Sequence, residues 1–169
     1  RIISEVKTLA RETGRFIAEQ RKNFDSSRVE SKQSHDYVSY VDKECERMIV
    51  SRLKEILPQA GFITEEKTIA QDDGSKELYW IVDPLDGTTN FIHDLAPYSV
   101  SIALRDSKDL LLGVVYEVTR DELYSAAKGQ GAYLNDRAIK VSPLSDLDQA
   151  LIMVGYPYNA EAWRDFCLK

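Results

Sequence analysis

A chain of 169 residues with 43% apolar and 30% charged residues has the balance of a folded globular protein. Its formal net charge of −6 disfavours nucleic acid as a partner, because backbone phosphates are met by clustered Lys and Arg. No apolar run reaches the ~18 residues of a spanning helix, so such a helix is excluded and no membrane partner is expected. The opening Arg1-Ile2-Ile3-Ser4-Glu5-Val6 mixes acid with base, unlike a secretory leader, and the missing initial Met leads us to expect a trimmed start. Cys45 and Cys167 stand far apart with no metal spacing, which reads as free thiols in a reducing compartment, hence a cytoplasmic location. His35 and His93 are too scattered for a histidine-based metal site.

Ile2, Val6, Leu9, Thr13, Phe16, Ile17 and Gln20 recur at helical spacing over residues 2–22, with Lys, Arg and Glu between them. Residues 24–35 are polar and without period, a loop. A second helix is expected over 39–57, with Val41, Cys45, Met48, Ile49, Leu53 and Ile56 as its apolar stripe. Ser39-x-x-Asp42 fits a capping box at its start and Pro58 marks its stop. Gly61-Phe62-Ile63-Thr64 reads as a short buried strand and Gln71-Asp72-Asp73-Gly74-Ser75 as a turn. Strands follow over 78–82, 99–104, 111–118 and 122–127, with Thr119-Arg120-Asp121 as a hairpin turn. Residues 129–135 continue the meander, 150–154 form one more strand, and 159–169 begin a helix. Two helices followed by a run of antiparallel strands make an α+β fold with helices packed on a sheet.

The chemistry concentrates in Trp80-Ile81-Val82-Asp83-Pro84-Leu85-Asp86-Gly87-Thr88-Thr89-Asn90-Phe91. A buried strand ends in two carboxylates, Asp83 and Asp86, with Pro84 fixing φ between them. That arrangement can aim both carboxylates and the Leu85 carbonyl at one place, an all-oxygen set that suits Mg²⁺. Gly87 permits a close backbone approach, and a helix starting there presents amides to an anion such as phosphate. Asp-Pro and Asp-Gly are also common turn pairs, and a lone Asp-x-x-Asp is mostly surface or turn. Glu65-Glu66 after the short strand reads by itself as solvated acid, and Asp42 by itself as a cap.

Taken together, Asp36-Tyr37-Val38-Ser39-Tyr40-Val41-Asp42, Thr64-Glu65-Glu66 and the run from Trp80 to Phe91 resemble the signature of the inositol monophosphatase family over essentially the whole chain. One departure is Thr64, where the family has Gly before its two acids. The resemblance implies a fructose-1,6-bisphosphatase-like layered α/β sandwich: an antiparallel sheet with two N-terminal helices in residues 1–145, and an incomplete second layer starting in 146–169. It implies that Glu66, Asp83 and the Leu85 carbonyl hold one Mg²⁺, and that Asp83 bridges to a second that Asp86 also binds. The amides of Gly87 and Thr88 would hold phosphate oxygens, and Thr88, Asp42 and Glu66 would position and activate the attacking water. Lys32 matches a basic position near the metals and reads equally well as a solvated loop lysine.

The activity so implied is Mg²⁺-dependent, Li⁺-sensitive hydrolysis of a sugar or polyol phosphate monoester by metal-activated water, with two or three ions and no phosphoenzyme. Inositol 1-phosphate leads as substrate, and Thr89-Asn90-Phe91 favours that branch over nucleotidase relatives acting on 3′-phosphoadenosine phosphates. Fructose 1,6-bisphosphate and histidinol phosphate are the other substrates of the superfamily. A non-catalytic metal- or phosphate-binding module and a purely structural domain are the competing classes. The family's later Trp-Asp-x-Ala-x-Gly motif has no match, since Trp163 and Asp165 lie in a different context, so the chain as given is expected to be inactive alone. A homodimer is expected of the full-length protein.

Overall fold

The computed structural model describes residues 1–25, 29–33, 36–70 and 74–153. Helix α1 (Ile2–Lys22) buries Val6, Leu9, Ala10, Thr13, Gly14 and Ile17, the stripe that its 3.6-residue period marks out. Strands β1 (Glu30–Gln33) and β2 (Asp36–Val38) pair antiparallel, and β1 falls within the loop expected over 24–35. Glu30–Gln33 is polar and lacks alternation, so nothing in its pattern separates strand from loop. Helix α2 (Tyr40–Ile56) opens with the expected capping box, in which Ser39 and Asp42 each accept from the other's end of the first turn.

A seven-stranded sheet follows, in the spatial order β3-β4-β5-β6-β7-β8-β9. Its members are β3 (Gly61–Thr64), β4 (Tyr79–Asp86), β5 (Ser99–Arg105), β6 (Leu110–Glu117), β7 (Glu122–Ala127), β8 (Ala132–Leu134) and β9 (Arg137–Ile139). A five-residue helix, α3 (Thr88–Ile92), sits between β4 and β5. All neighbouring strands pair antiparallel except β3 and β4, which run parallel. The expected layering of two helices on an antiparallel sheet holds, with one difference: β3 and β4 run parallel, so both strands deliver their C-terminal ends to the same side.

The helices cover one face. α1 packs on β5, β6 and β7, and α2 packs on α1 and β4. Leu112, Val114 and Tyr116 alternate toward the helices, whereas Val115 on the other face is 38% exposed. Gly14 lets α1 approach closely, because a Cβ there would lie 2.3 Å from the Tyr116 ring. Cys45 is buried in this core, and burial pushes its thiol up, so it is no nucleophile.

The strand expected over 150–154 is not found in its described part: Ala150 follows a short 3-10 turn (Leu147–Gln149), and Leu151, Ile152 and Met153 are exposed without strand pairing. A short apolar run makes a strand only beside a partner, and the sheet's last strand, β9, pairs with β8 and not with this segment. The helix expected over 159–169, together with Cys167, lies outside the described residues.

Candidate active site

The register of β4 on β5 explains how two aspartates three positions apart come to act together. On a regular strand Asp83 and Asp86 would face opposite sides. Here Asp83 pairs with Ser101 and Asp86 with Ser99, so three steps on β4 oppose two on β5. The extra residue is a bulge at Pro84-Leu85, where Pro has no amide to give the ladder. Ser99 and Ser101 share a face, and the bulge therefore sets Asp83 and Asp86 on that same face.

The parallel partner strand adds a third acid. Thr64 lies beside Val82, and the Glu65 amide donates to the Val82 carbonyl at 3.2 Å. One step further along, Glu65 falls beside Asp83, and the two carboxyl groups share a hydrogen bond. Burial first, then the hydrogen bond and charge of Glu65, then the charge of Asp86 push Asp83 up to about 8, while the Leu85 amide, 3.2 Å from Asp83 Oδ1, pulls it down. The strongest charged influences on Asp83 are thus both negative. Glu66, the acid singled out from sequence, follows Glu65, and its amide donates to Glu46 Oε2 at 2.7 Å. Glu65, which sequence reading left as a solvated acid, is the one that the ladder sets beside Asp83. Its signal is the strand alternation in which Phe62 and Thr64 are buried and Ile63 is 42% exposed, which carries Glu65 to the outer face with Asp83.

Asp42 and Thr88 meet across the site. Asp42 Oδ2 accepts from the Ser39 amide at 2.8 Å and from Ser39 Oγ at 2.5 Å, so it is the helix cap that its position suggests. Its other oxygen, Oδ1, accepts from Thr88 Oγ1 at 2.6 Å. Asp42 is wholly buried, and burial raises its pKa against the lowering effect of the Ser39 and Thr88 hydrogen bonds. Thr88 Oγ1 also lies 3.0 Å from the Leu85 carbonyl, so the residue proposed from sequence as a backbone ligand adjoins the same hydroxyl.

Gly87 caps α3 with φ of 92°, and a Cβ there would lie 3.0 Å from the Pro97 carbonyl, so both conformation and space call for glycine. A helix of five residues is marginal by itself. It is held by Phe91, which is buried and packs edge-on to Phe24 and Tyr98 at 4.9 and 5.5 Å. Arg21 of α1 lies over the Phe91 ring and donates to the carbonyls of Phe91 and Ile92 at 3.0 and 3.3 Å. Asn90 Nδ2 donates to the Pro97 carbonyl at 2.8 Å. Lys32 is placed by its backbone in β1, as the extra residue of a bulge between Ser31 and Gln33, and not in a loop.

Among the described residues no three His, Cys, Asp or Glu side chains stand close enough, as placed, to enclose a metal ion. The Glu65–Asp83 pair is instead bridged through a hydrogen bond, with Asp83 inclined to keep a proton. The donors are all oxygen, and their mutual repulsion is what a divalent cation relieves; the set fits a hard ion once Asp83 ionises.

A model of the inositol monophosphatase family matches residues 1–165. The chain is 37% identical over 160 residues to the Nus factor SuhB of Vibrio cholerae serotype O1, covering 95% of this chain and 60% of that protein. It is 38% identical over 155 residues to the Nus factor SuhB of Escherichia coli K12, covering 91% and 57% respectively. The crystal structure of extragenic suppressor protein suhB from Bartonella henselae superimposes with a TM-score of 0.85 at 34% identity, over 99% of this chain and 63% of that one. The inositol monophosphatase of Anabaena (Nostoc) sp. PCC 7120 superimposes with a TM-score of 0.81 at 28% identity, over 98% and 61%. The chain thus spans about three-fifths of the length of the curated relatives it matches. On that family match over residues 1–165 and the structural likeness over 99% of its length, the chain belongs to the inositol monophosphatase family.

Proposed function

We propose that this chain carries the metal- and phosphate-binding part of a Mg²⁺-dependent phosphatase acting on sugar or polyol phosphate monoesters, with inositol 1-phosphate as the first substrate to test. The observation that carries the reading is the bond from Thr88 Oγ1 to buried Asp42 Oδ1, set beside the Leu85 carbonyl at the end of the strand that bears Asp83. In this reading residues 1–145 form that part, and a further portion starts at 146.

Glu65, Asp83, Asp86 and the Leu85 carbonyl would hold Mg²⁺, with Glu65 taking the place that sequence reading gave to Glu66. When bound, such ions acidify water and neutralise phosphate charge. Thr88 has one hydroxyl proton and gives it to Asp42, so its oxygen lone pairs are left to accept from an attacking water. Asp42 is made more basic by burial, which suits the far end of that proton path. The Gly87 and Thr88 amides, at the first turn of α3, lack intrahelical acceptors and suit phosphate oxygens. Two or three ions, inhibition by Li⁺, a cytoplasmic dimer and a contact from Lys32 belong to the same proposal.

The test is phosphate release from inositol 1-phosphate by the full-length protein with Mg²⁺, with and without Li⁺. Mg²⁺-dependent release supports the reading, and no release from this or any related monoester overturns it. The relatives named Nus factor favour a second reading, a role as a factor that does not need turnover. A bacterial strain stripped of its own SuhB and restored equally by wild type and Asp83→Asn would favour that one.

A further inference from the structure

Glu46 is wholly buried on α2, one turn beyond Asp42 and on the same face of the helix. Its two carboxylate oxygens accept three hydrogen bonds from one short segment. Oε2 takes the Glu66 amide at 2.7 Å; Oε1 takes the Thr68 amide at 2.6 Å and Thr68 Oγ1 at 2.7 Å. Between those two amides Lys67 adopts φ of 52°, a left-handed conformation that a long side chain takes only when its surroundings impose it. Burying a carboxylate is costly, and charge-assisted bonds of this kind are what make it tolerable. All three of these bonds go to the chain immediately after Glu65, whose own amide is fixed to Val82.

We propose that Glu46 is a positioning residue for the metal site: it clamps residues 66–68 and so fixes the direction in which Glu65 is presented to Asp83. α2 then acts as a bracket with two arms. Asp42 holds the Thr88 side of the site, and Glu46, four residues on, holds the Glu65 side. The proposal rests on the metal reading above, and goes beyond it by assigning the site's geometry to a carboxylate that touches neither ion nor substrate. Gln at position 46 would turn an NH₂ group toward at least one of these donors, so Glu46→Gln breaks the clamp with little change in volume.

The experiment is a Mn²⁺ titration of the full-length protein by electron paramagnetic resonance, alongside the Mg²⁺ dependence of phosphate release. Wild type, Glu46→Gln, Thr68→Val and the exposed control Glu44→Gln are compared. The expected result is Mn²⁺ affinity weaker by about 10–100-fold in Glu46→Gln, as for outer partners of metal ligands generally. Thr68→Val, which removes only one of the three donors, should lose roughly threefold, and Glu44→Gln nothing. Saturating Mg²⁺ should restore kcat in Glu46→Gln, a split that general loss of structure does not produce. Equal Mn²⁺ affinity in wild type and Glu46→Gln overturns the proposal alone. Should Glu46→Gln fail to fold, unchanged affinity in Thr68→Val overturns it. A wild type that binds no Mn²⁺ overturns the metal reading and this proposal together.

Discussion

Adjacent acids of identical chemistry can have different fates, and backbone register decides which. Glu65 reaches Asp83 because the parallel β3–β4 ladder sets Thr64 beside Val82; Glu66, one position on, has its amide drawn toward Glu46. Glu65→Gln is expected to weaken Mg²⁺ binding by more than about 100-fold and Glu66→Gln by far less, which calorimetric titration of the two variants checks. Thr88→Ala should cut kcat by about 10²–10⁴ with Mg²⁺ affinity nearly unchanged, because in the proposed mechanism the hydroxyl relays a proton and is no metal ligand. Asp83 gives a stability test in the metal-free protein. Its pKa is raised from 3.8 to about 8, so the stability linked to its protonated form is full below about 4 and is lost as pH rises through about 8. In chelator, Asp83→Asn should therefore match wild type near pH 4 and exceed it above pH 8, by roughly 1–3 kcal/mol after solvent screening of a half-exposed carboxylate. Urea denaturation at the two pH values reads the difference, and an equal gap at both contradicts it.

Among the elements, α3 shows how a short helix is made firm by what surrounds it. Its five residues cannot hold themselves, and Arg21, twenty residues into α1, closes its C-terminal end while Phe91 fills the core. Arg21→Ala should cost about 1–3 kcal/mol in stability through the unpaired carbonyls, and raise KM for substrate through a looser Thr88, which denaturation and steady-state kinetics together check. The long helices were legible in sequence because their apolar period is strong, and the capping box of α2 was legible because Ser39 and Asp42 stand at the required spacing. The β1–β2 hairpin was not, since Glu30–Gln33 carries no apolar alternation. Nor was the bulge at Pro84-Leu85, which depends on the β5 partner as much as on proline itself. The Asp42 cap and the Asp42–Thr88 bond show that one carboxylate can serve both a fold and a site, with one oxygen for each.

At the scale of the molecule, one-sided packing governs the arrangement. Helices on one face leave the strand ends to carry acidic groups, and the parallel entry of β3 brings a second strand end to the one that bears Asp83. Layer order was readable from the succession of helices and strands; strand direction between β3 and β4 was not, because the segment joining them has no periodicity to reveal a crossover. The central claim is that these strand ends form a Mg²⁺-dependent hydrolytic centre. It is tested most directly by the Mg²⁺ dependence of phosphate release from inositol 1-phosphate for full-length wild type and Asp83→Asn, measured side by side. Release that requires Mg²⁺ in wild type and falls by at least about 10³-fold in Asp83→Asn is the expected result. Release that persists without Mg²⁺, or that is equal in the two proteins, would contradict it.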